Sequence, residues 1–104
     1  MNIIHLVLPS GDLASRSLAI PERQEIEKII SKRAGIVEID LRCVKSISES
    51  YADELFGILV RDYGIDEIFS NIRLLNAGDY ILESIASAMA RRSNESESTS
   101  RLVS

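Results

Sequence analysis

The residues best suited to chemistry lie in one short segment, where hydroxyl and carboxylate side chains cluster. They are Ser48, Glu49, Ser50, Tyr51, Asp53 and Glu54. A strand is predicted to end near Arg42 and a helix to begin at Ser50, which places the segment at the amino end of a helix. The first N–H groups of a helix have no intrahelical partner and carry partial positive charge. A hydroxyl at that point can accept a hydrogen bond from the backbone or hold a phosphate group.

Ser50 has two compatible interpretations. It begins an S-x-x-D pattern with Asp53, in which the Ser50 hydroxyl caps the backbone N–H of Asp53 while the carboxylate reaches back. A hydroxyl at a helix end is also exposed, so it can serve as a phosphoacceptor. A phosphoserine would add roughly -1.5 to -2 charges within about one turn of Glu49, Asp53 and Glu54. Repulsion from these carboxylates would offset much of the stabilisation by the helix dipole.

The same carboxylates could form a metal site or a general acid–base pair. A hard cation held by two carboxylates needs further oxygen ligands, and the sequence indicates none. Acidic residues are also favoured in the first turn of a helix by its dipole alone. We therefore predict no metal site, no cofactor and no catalytic residue. We expect the acidic rim to be a docking surface for Arg and Lys of a partner protein.

The stretch IDLRCVKSISESYADELFG, residues 39–57, resembles the strand, loop and helix of STAS domains, the fold of bacterial anti-sigma-factor antagonists. It is more similar still to the family of STAS-like domains of uncharacterised function, whose hallmark S-x-S-[FY]-A-D-E-L is matched by residues 48–55. Gly11 to Leu13 stand where STAS domains carry a Gly-x-Leu turn, and Ser15-Arg16 resembles the Ser-Arg pair of the STAS-like family. The likeness covers roughly residues 3 to 92, and only its 47–57 block is specific.

The resemblance implies a non-catalytic switch. In the antagonists, a kinase of the histidine-kinase-like ATPase superfamily phosphorylates a Ser at the start of this helix, and the modified domain releases its partner. Ser50 is the matching position in this chain. Domains of the closer family also occur beside or fused to such ATPases. The implied partner is therefore a histidine-kinase-like ATPase or an anti-sigma-type regulator.

The remaining candidate residues are isolated in the sequence. His5 lies in an apolar strand without a second His or Cys placed to share a metal, so we predict a hydrogen-bonded structural role. Cys43 has no His signalled nearby, which disfavours a nucleophile. Arg16 and Arg42 are candidates for binding an anion, although either could instead pair with Asp40 or Glu49.

The composition fits one globular domain of 104 residues with a net charge of -4. That charge argues against a nucleic-acid partner, which needs a cationic surface. No apolar run approaches the roughly 20 residues of a membrane span, so we expect no membrane partner. The single cysteine suits a reducing compartment, and the amino terminus lacks the pattern of a signal peptide, so we expect a cytoplasmic protein.

Apolar spacing and breaker residues predict the elements that position the segment. Strands are expected at residues 2–8, 36–41 and 71–77, and helices at 21–33, 50–63 and 78–92, with residues 13–20 left open between strand and helix. Pro21 is expected as the first helical residue. We predict an α/β fold of the STAS-like type, with a mixed sheet of about four strands and helices packed on it. Residues 1–93 would form the domain, and residues 94–104 a flexible Ser-rich tail.

Together these inferences predict a regulatory protein-interaction module. Its partner-binding surface would be the six-residue segment named first, with Tyr51 as a partly exposed aromatic anchor. The alternative is a sensor that binds a small ligand or nucleotide through an anion at the helix start near Ser50, assisted by Arg16 or Arg42. A homodimer joined through a sheet edge or the last helix is also compatible with the sequence.

Overall fold

Strands and helices alternate along the chain, as a computed structural model describes for the backbone of residues 2–103 and the side chains of residues 2–95. The strands are β1 (Ile3–Val7), β2 (Gly11–Leu13), β3 (Ile36–Asp40), β4 (Val44–Ile47) and β5 (Ile72–Leu75). The helices are α1 (Arg16–Ser31), α2 (Glu49–Ala52), α3 (Ile58–Tyr63), α4 (Ile65–Asn71) and α5 (Asp79–Val103). A π-helical segment, Asp53–Gly57, joins α2 to α3. We call the continuous run of residues 49–63 the central helix.

The strands form two small parallel sheets, ordered β1-β3-β5 and β2-β4. The α/β class is confirmed, whereas the prediction of one mixed sheet of about four strands differs from the five parallel strands observed. Each paired strand is separated from its partner by at least one helix, and a helical crossover brings the chain back in the same direction. In the larger sheet the register places Val37 beside Ile4 and Ile72, and these side chains point to the helical side.

The smaller sheet lies where the sequence predicts a turn and a polar loop. Asp12 pairs with Ser46 in the register of β2 and β4, and the Ser46 hydroxyl donates to the Asp12 carboxylate at 2.7 Å. Lys45 and Ser46 are both exposed, and only the two ends of β4 carry apolar side chains. So short a strand has no alternating pattern to detect, and the loop prediction for this segment is therefore wrong.

Helix α1 begins five residues earlier than predicted and contains Pro21. The missing N–H of Pro21 removes one hydrogen bond to the carbonyl of Ser17, which lies on the exposed side where water can replace it. Ala19 is fully buried and Arg16 is ion-paired, so the turn before Pro21 has its own tertiary contacts. These contacts outweigh the local preference of proline.

The later elements agree with the predicted ones, with two additions. Helix α4 follows Gly64 directly and was not predicted. Helix α5 runs over Asp79–Val103 and so extends into residues 94–104, whose side chains from 96 onward lie outside the described residues. The flexible tail stays a prediction. None of the helices in the described part of the chain is long and apolar enough to cross a membrane.

The central helix lies in the middle of the core. Every residue from Glu54 to Val60 is buried, because the helix packs against α1 on one side and α5 on the other. A helix that is apolar around most of its circumference is stable only when it is enclosed in this way. Tyr51 and Phe56 are the largest of its fully buried side chains.

Tyr51 departs from its predicted role, because its side chain is 1% exposed and cannot be a partly exposed anchor. Its hydroxyl has no hydrogen-bond partner among the described residues. Burial raises the pKa of this hydroxyl to about 12, with the charge of Glu22 adding to the effect. The ring contributes to the core, while the buried hydroxyl opposes folding.

We predict that Tyr51→Phe raises the free energy of unfolding by about 1 kcal/mol, because the variant keeps the ring and removes a buried polar group without a partner. Chemical denaturation measures the change. Tyr80→Phe is the matched control, since Tyr80 is 86% exposed and should show no change. A Tyr51→Phe protein that is less stable than the wild type would show that the hydroxyl has a favourable contact.

Candidate functional site

Ser48 fixes the start of the central helix. Its hydroxyl accepts from the backbone N–H of Tyr51 at 3.0 Å and donates to the carbonyl of Ala14 at 2.8 Å. Its own backbone N–H donates to the carbonyl of Leu13 at 2.9 Å. The helix start is therefore attached to the end of β2 and the loop before α1. The cap is Ser48, and the prediction that Ser50 caps the helix is wrong.

Ser50 and Glu49 lie in the first turn, and both are exposed. Unlike the Ser48 hydroxyl, the Ser50 hydroxyl forms no hydrogen bond with another residue in the described part of the chain. Glu49 accepts from Arg91 of α5 at 2.7 Å, although its side chain is 81% exposed. These two residues are the part of the hallmark segment that reaches solvent most freely.

An open cleft of about 340 Å³ adjoins this turn. Three elements contribute to it, because α1, the central helix and α5 converge here. Its lining residues are Arg16, Glu49, Ser50, Asp53, Arg91, Arg92 and Glu95. Three arginines and three carboxylates therefore line the cleft together with Ser50, in a region where the sequence alone suggested an acidic rim.

Asp53 is the centre of the ion pairs in the cleft. Arg92 binds it through two hydrogen bonds, Nε to Oδ1 at 2.8 Å and Nη2 to Oδ2 at 2.7 Å, and Arg16 adds a third at 3.1 Å. These bonds, first that of Arg92 and then that of Arg16, lower the pKa of Asp53. Gly57 allows the close approach, because a Cβ at this position would collide with the Asp53 carboxylate and lie 3.1 Å from Cγ of Arg92.

Glu54 continues the ion pairs toward α1. The residue is 8% exposed and accepts from Arg16 at 3.1 Å and from Arg23 at 3.1 and 2.9 Å. Arg23 also pairs with Glu27 one turn further along α1. A buried carboxylate needs such partners, because an unpaired charge in the interior is strongly destabilising. We call the series Glu27–Arg23–Glu54–Arg16–Asp53–Arg92 the ionic ladder.

A second polar cluster lies at the carboxyl end of β3, around the buried carboxylate of Asp40. Asn76, the backbone and side chain of Arg42, and His5 all donate to it, at distances from 2.8 to 3.1 Å. These hydrogen bonds, that of Asn76 foremost, hold the pKa of Asp40 well below its usual range. The structural, hydrogen-bonded role predicted for His5 is confirmed.

The two arginines proposed for anion binding are therefore in different places. Arg16 lines the cleft beside Ser50, whereas Arg42 pairs with Asp40 and does not line that cleft. Cys43 is exposed in the turn that follows β3. Among the described side chains, no group of three or more His, Cys, Asp or Glu residues is arranged to hold a metal ion.

Three residues of the site were not predicted from the sequence. Arg23, Arg91 and Arg92 lie far along the chain from the hallmark segment, and nothing in the local pattern connects them with it. A partial signal exists, because the consecutive acidic pair Asp53-Glu54 falls in a run that is otherwise buried. Carboxylates in such a run require cationic partners from neighbouring helices.

The arrangement of a parallel β core, a Gly-Asp-Leu strand before the first long helix and a capped central helix is that of a small STAS-like α/β domain. The family model described as a STAS-like domain of unknown function matches residues 23–82, more than half of the chain. The chain belongs to this family. Comparisons with curated proteins and with solved structures gave no match.

We predict that Ser48→Ala lowers the free energy of unfolding by about 1 kcal/mol, because the helix loses its cap. Ser50→Ala should change it by less than about 0.5 kcal/mol, since an exposed side chain without a partner is removed. Denaturant titration of both variants measures the difference. A larger loss at Ser50 than at Ser48 would contradict the assignment of the cap.

Proposed function

We propose that the chain is a non-catalytic regulatory module that binds a partner protein through the start of the central helix, with Ser50 as the phosphoacceptor that controls binding. The observation that carries this proposal is the contrast between the two serines of the hallmark. The hydroxyl of Ser48 forms two hydrogen bonds and its backbone N–H forms a third, while Ser50, two residues later, presents an exposed hydroxyl.

A rigid support suits this role. A kinase or partner that recognises a hydroxyl benefits from a fixed orientation, because ordering a mobile loop on binding would cost affinity. The Ser48 cap attaches the helix start to Leu13 and Ala14. The ionic ladder holds the first turns of the helix against α1 and α5. Ser50 is therefore preorganised and accessible at the same time.

The six predicted partner-binding residues then divide by position. Glu49 and Ser50 are exposed, and Asp53 and Ser48 are partly so, which makes them available for direct contact. Tyr51 and Glu54 are buried and support the surface from beneath. We infer that a partner contacts Glu49 and Ser50 first, and that hydrogen bonding and charge contribute more than an aromatic anchor.

The partner we propose is an ATPase of the histidine-kinase-like superfamily, or an anti-sigma-type regulator that works with one. The support is the resemblance of residues 39–57 to the antagonists whose serine such kinases modify. In the phosphorylation step a bond forms between the Ser50 oxygen and the γ-phosphorus of ATP, the bond from that phosphorus to the β,γ-bridging oxygen breaks, ADP leaves, and the hydroxyl proton passes to a base of the kinase. The single, exposed cysteine supports a cytoplasmic setting for this exchange.

The test uses this chain as bait against a purified ATPase of the histidine-kinase-like superfamily. We predict that the wild-type chain binds the ATPase and that Ser50→Glu weakens binding at least about tenfold, because it places a bulky charge on the contact surface. Calorimetry measures the affinity. Incubation with ATP followed by mass spectrometry locates any phosphate.

The matched control is Ser70→Glu, which introduces the same charge on the exposed side of α4. Binding that Ser50→Glu and Ser70→Glu weaken equally would contradict the docking surface. A phosphate found on a serine other than Ser50 would contradict the assigned acceptor.

A further inference from the structure

We propose that Arg91 of α5, with Arg16 of α1 as a second donor, receives the phosphate group of phosphorylated Ser50, so that α5 is the element that responds to the modification. This inference rests on the proposed function, because it takes Ser50 as the phosphoacceptor. It adds the receiving groups, all of which lie outside the region matched by the family model, residues 23–82.

Ser50 and the two arginines share one open site. Ser50, Arg16 and Arg91 line the same open cleft. Arg91 already reaches the neighbouring residue, Glu49, at 2.7 Å. Asp53 lies one turn after Ser50 on the same side of the helix, and Arg16 reaches it at 3.1 Å. A phosphate oxygen of phosphoserine is as many bonds from Cβ as a carboxylate oxygen of Glu, so it extends into the space that these arginines share.

The guanidiniums of Arg91 and Arg16 each have N–H groups that their described ion pairs do not use. A guanidinium carries five N–H donors. In the described part of the chain, Arg91 uses Nη1 for Glu49, and Arg16 uses Nη1 for Asp53 and Glu54. Arg92 differs, since Nε and Nη2 hold Asp53 and Nη1 contacts Glu95. We therefore assign the phosphate to Arg91 and Arg16, and the neutralisation of Asp53 to Arg92.

Four carboxylates face the same cleft or its edge and would repel the phosphate. Three of them, Glu49, Asp53 and Glu95, line it, and Glu54 lies beneath. Asp53 and Glu54 are offset by the arginines of the ionic ladder, which reduces their repulsion. The Arg91–Glu49 pair is exposed on both sides and therefore weak. A doubly charged phosphate with three acceptor oxygens is the stronger partner, so Arg91 exchanges Glu49 for it.

The exchange would change the surface that a partner meets. Arg91 belongs to α5 and Ser50 to the central helix, so the phosphate would connect these elements at the mouth of the cleft. Glu49 would lose its partner and become a free charge. The modified chain would then present a closed cleft and an unpaired carboxylate in place of an open cleft and a hydroxyl.

The experiment installs phosphoserine at position 50 during translation and follows its phosphorus NMR signal through a pH titration. An ordinary phosphoserine has a second pKa of about 6. We predict a lower pKa at position 50, because guanidiniums favour the dianion, and a rise of at least about half a unit in Arg91→Ala. Arg73→Ala is the matched control, since Arg73 is an exposed arginine of β5 away from the cleft.

Arg91→Gln provides a second variant that removes the charge but keeps a long polar side chain. Two results would overturn the inference. One is a second phosphate pKa at or above about 6 in the chain that carries phosphoserine 50 and no substitution. The other is a rise of this pKa in the Arg91 variants that is no larger than its rise in Arg73→Ala. No kinase or partner is needed, so a failed binding experiment leaves this result intact. Conversely, a normal titration beside Ser50-dependent binding would overturn only the role of Arg91.

Discussion

The ion pair between Asp53 and Arg92 determines which charged and polar groups the start of the central helix exposes to solvent. Without it, the hallmark segment would present two carboxylates beside Ser50, those of Glu49 and Asp53. With it, Asp53 is neutralised by a bidentate guanidinium, and Arg16 links the same carboxylate to buried Glu54. The exposed polar groups of the turn are then the Ser50 hydroxyl and the weakly paired Glu49. The docking and phosphorylation proposals both depend on this arrangement.

The backbone of the central helix makes the pair possible. In the π-helical segment the N–H of Ile58 bonds to the carbonyl of Asp53, one residue further back than in an α-helix. Such segments are frequent at functional sites. Gly57 leaves room for the Arg92 side chain on the face of the helix that carries Asp53. The same helix is enclosed by the core beyond this point, so its first turn is the part left for recognition.

The sequence predicted the class of fold and indicated the segment that adjoins the candidate cleft, because both depend on strong local signals. Apolar spacing identified β3, β5 and the central helix, and the hallmark residues identified the segment. It assigned the cap to Ser50 in place of Ser48, since either serine can begin a helix and the tertiary contacts of Ser48 with Leu13 and Ala14 distinguish them. Tyr51 was misjudged for a similar reason: a tyrosine in a polar stretch gives no indication of which side of the helix enters the core.

The remaining differences come from tertiary contacts. Proline at position 21 is tolerated because Ala19 is buried and Arg16 is paired, and neither fact is visible in the local sequence. Strand β4 is too short and too polar to show a period, and it exists because β2 pairs with it. The arginines of α5 could not be assigned to the site, because Arg92 lies 39 positions along the chain from its partner Asp53 and Arg91 lies 42 positions from its partner Glu49.

Site-specific photo-crosslinking to an ATPase of the proposed superfamily tests most directly whether this turn is the recognition surface. A photoreactive residue at position 50 should crosslink to the partner, while one at Arg73, on the uncovered side of the larger sheet, should not. Crosslinks from position 73 with none from position 50 would contradict the account and place the interface on the sheet.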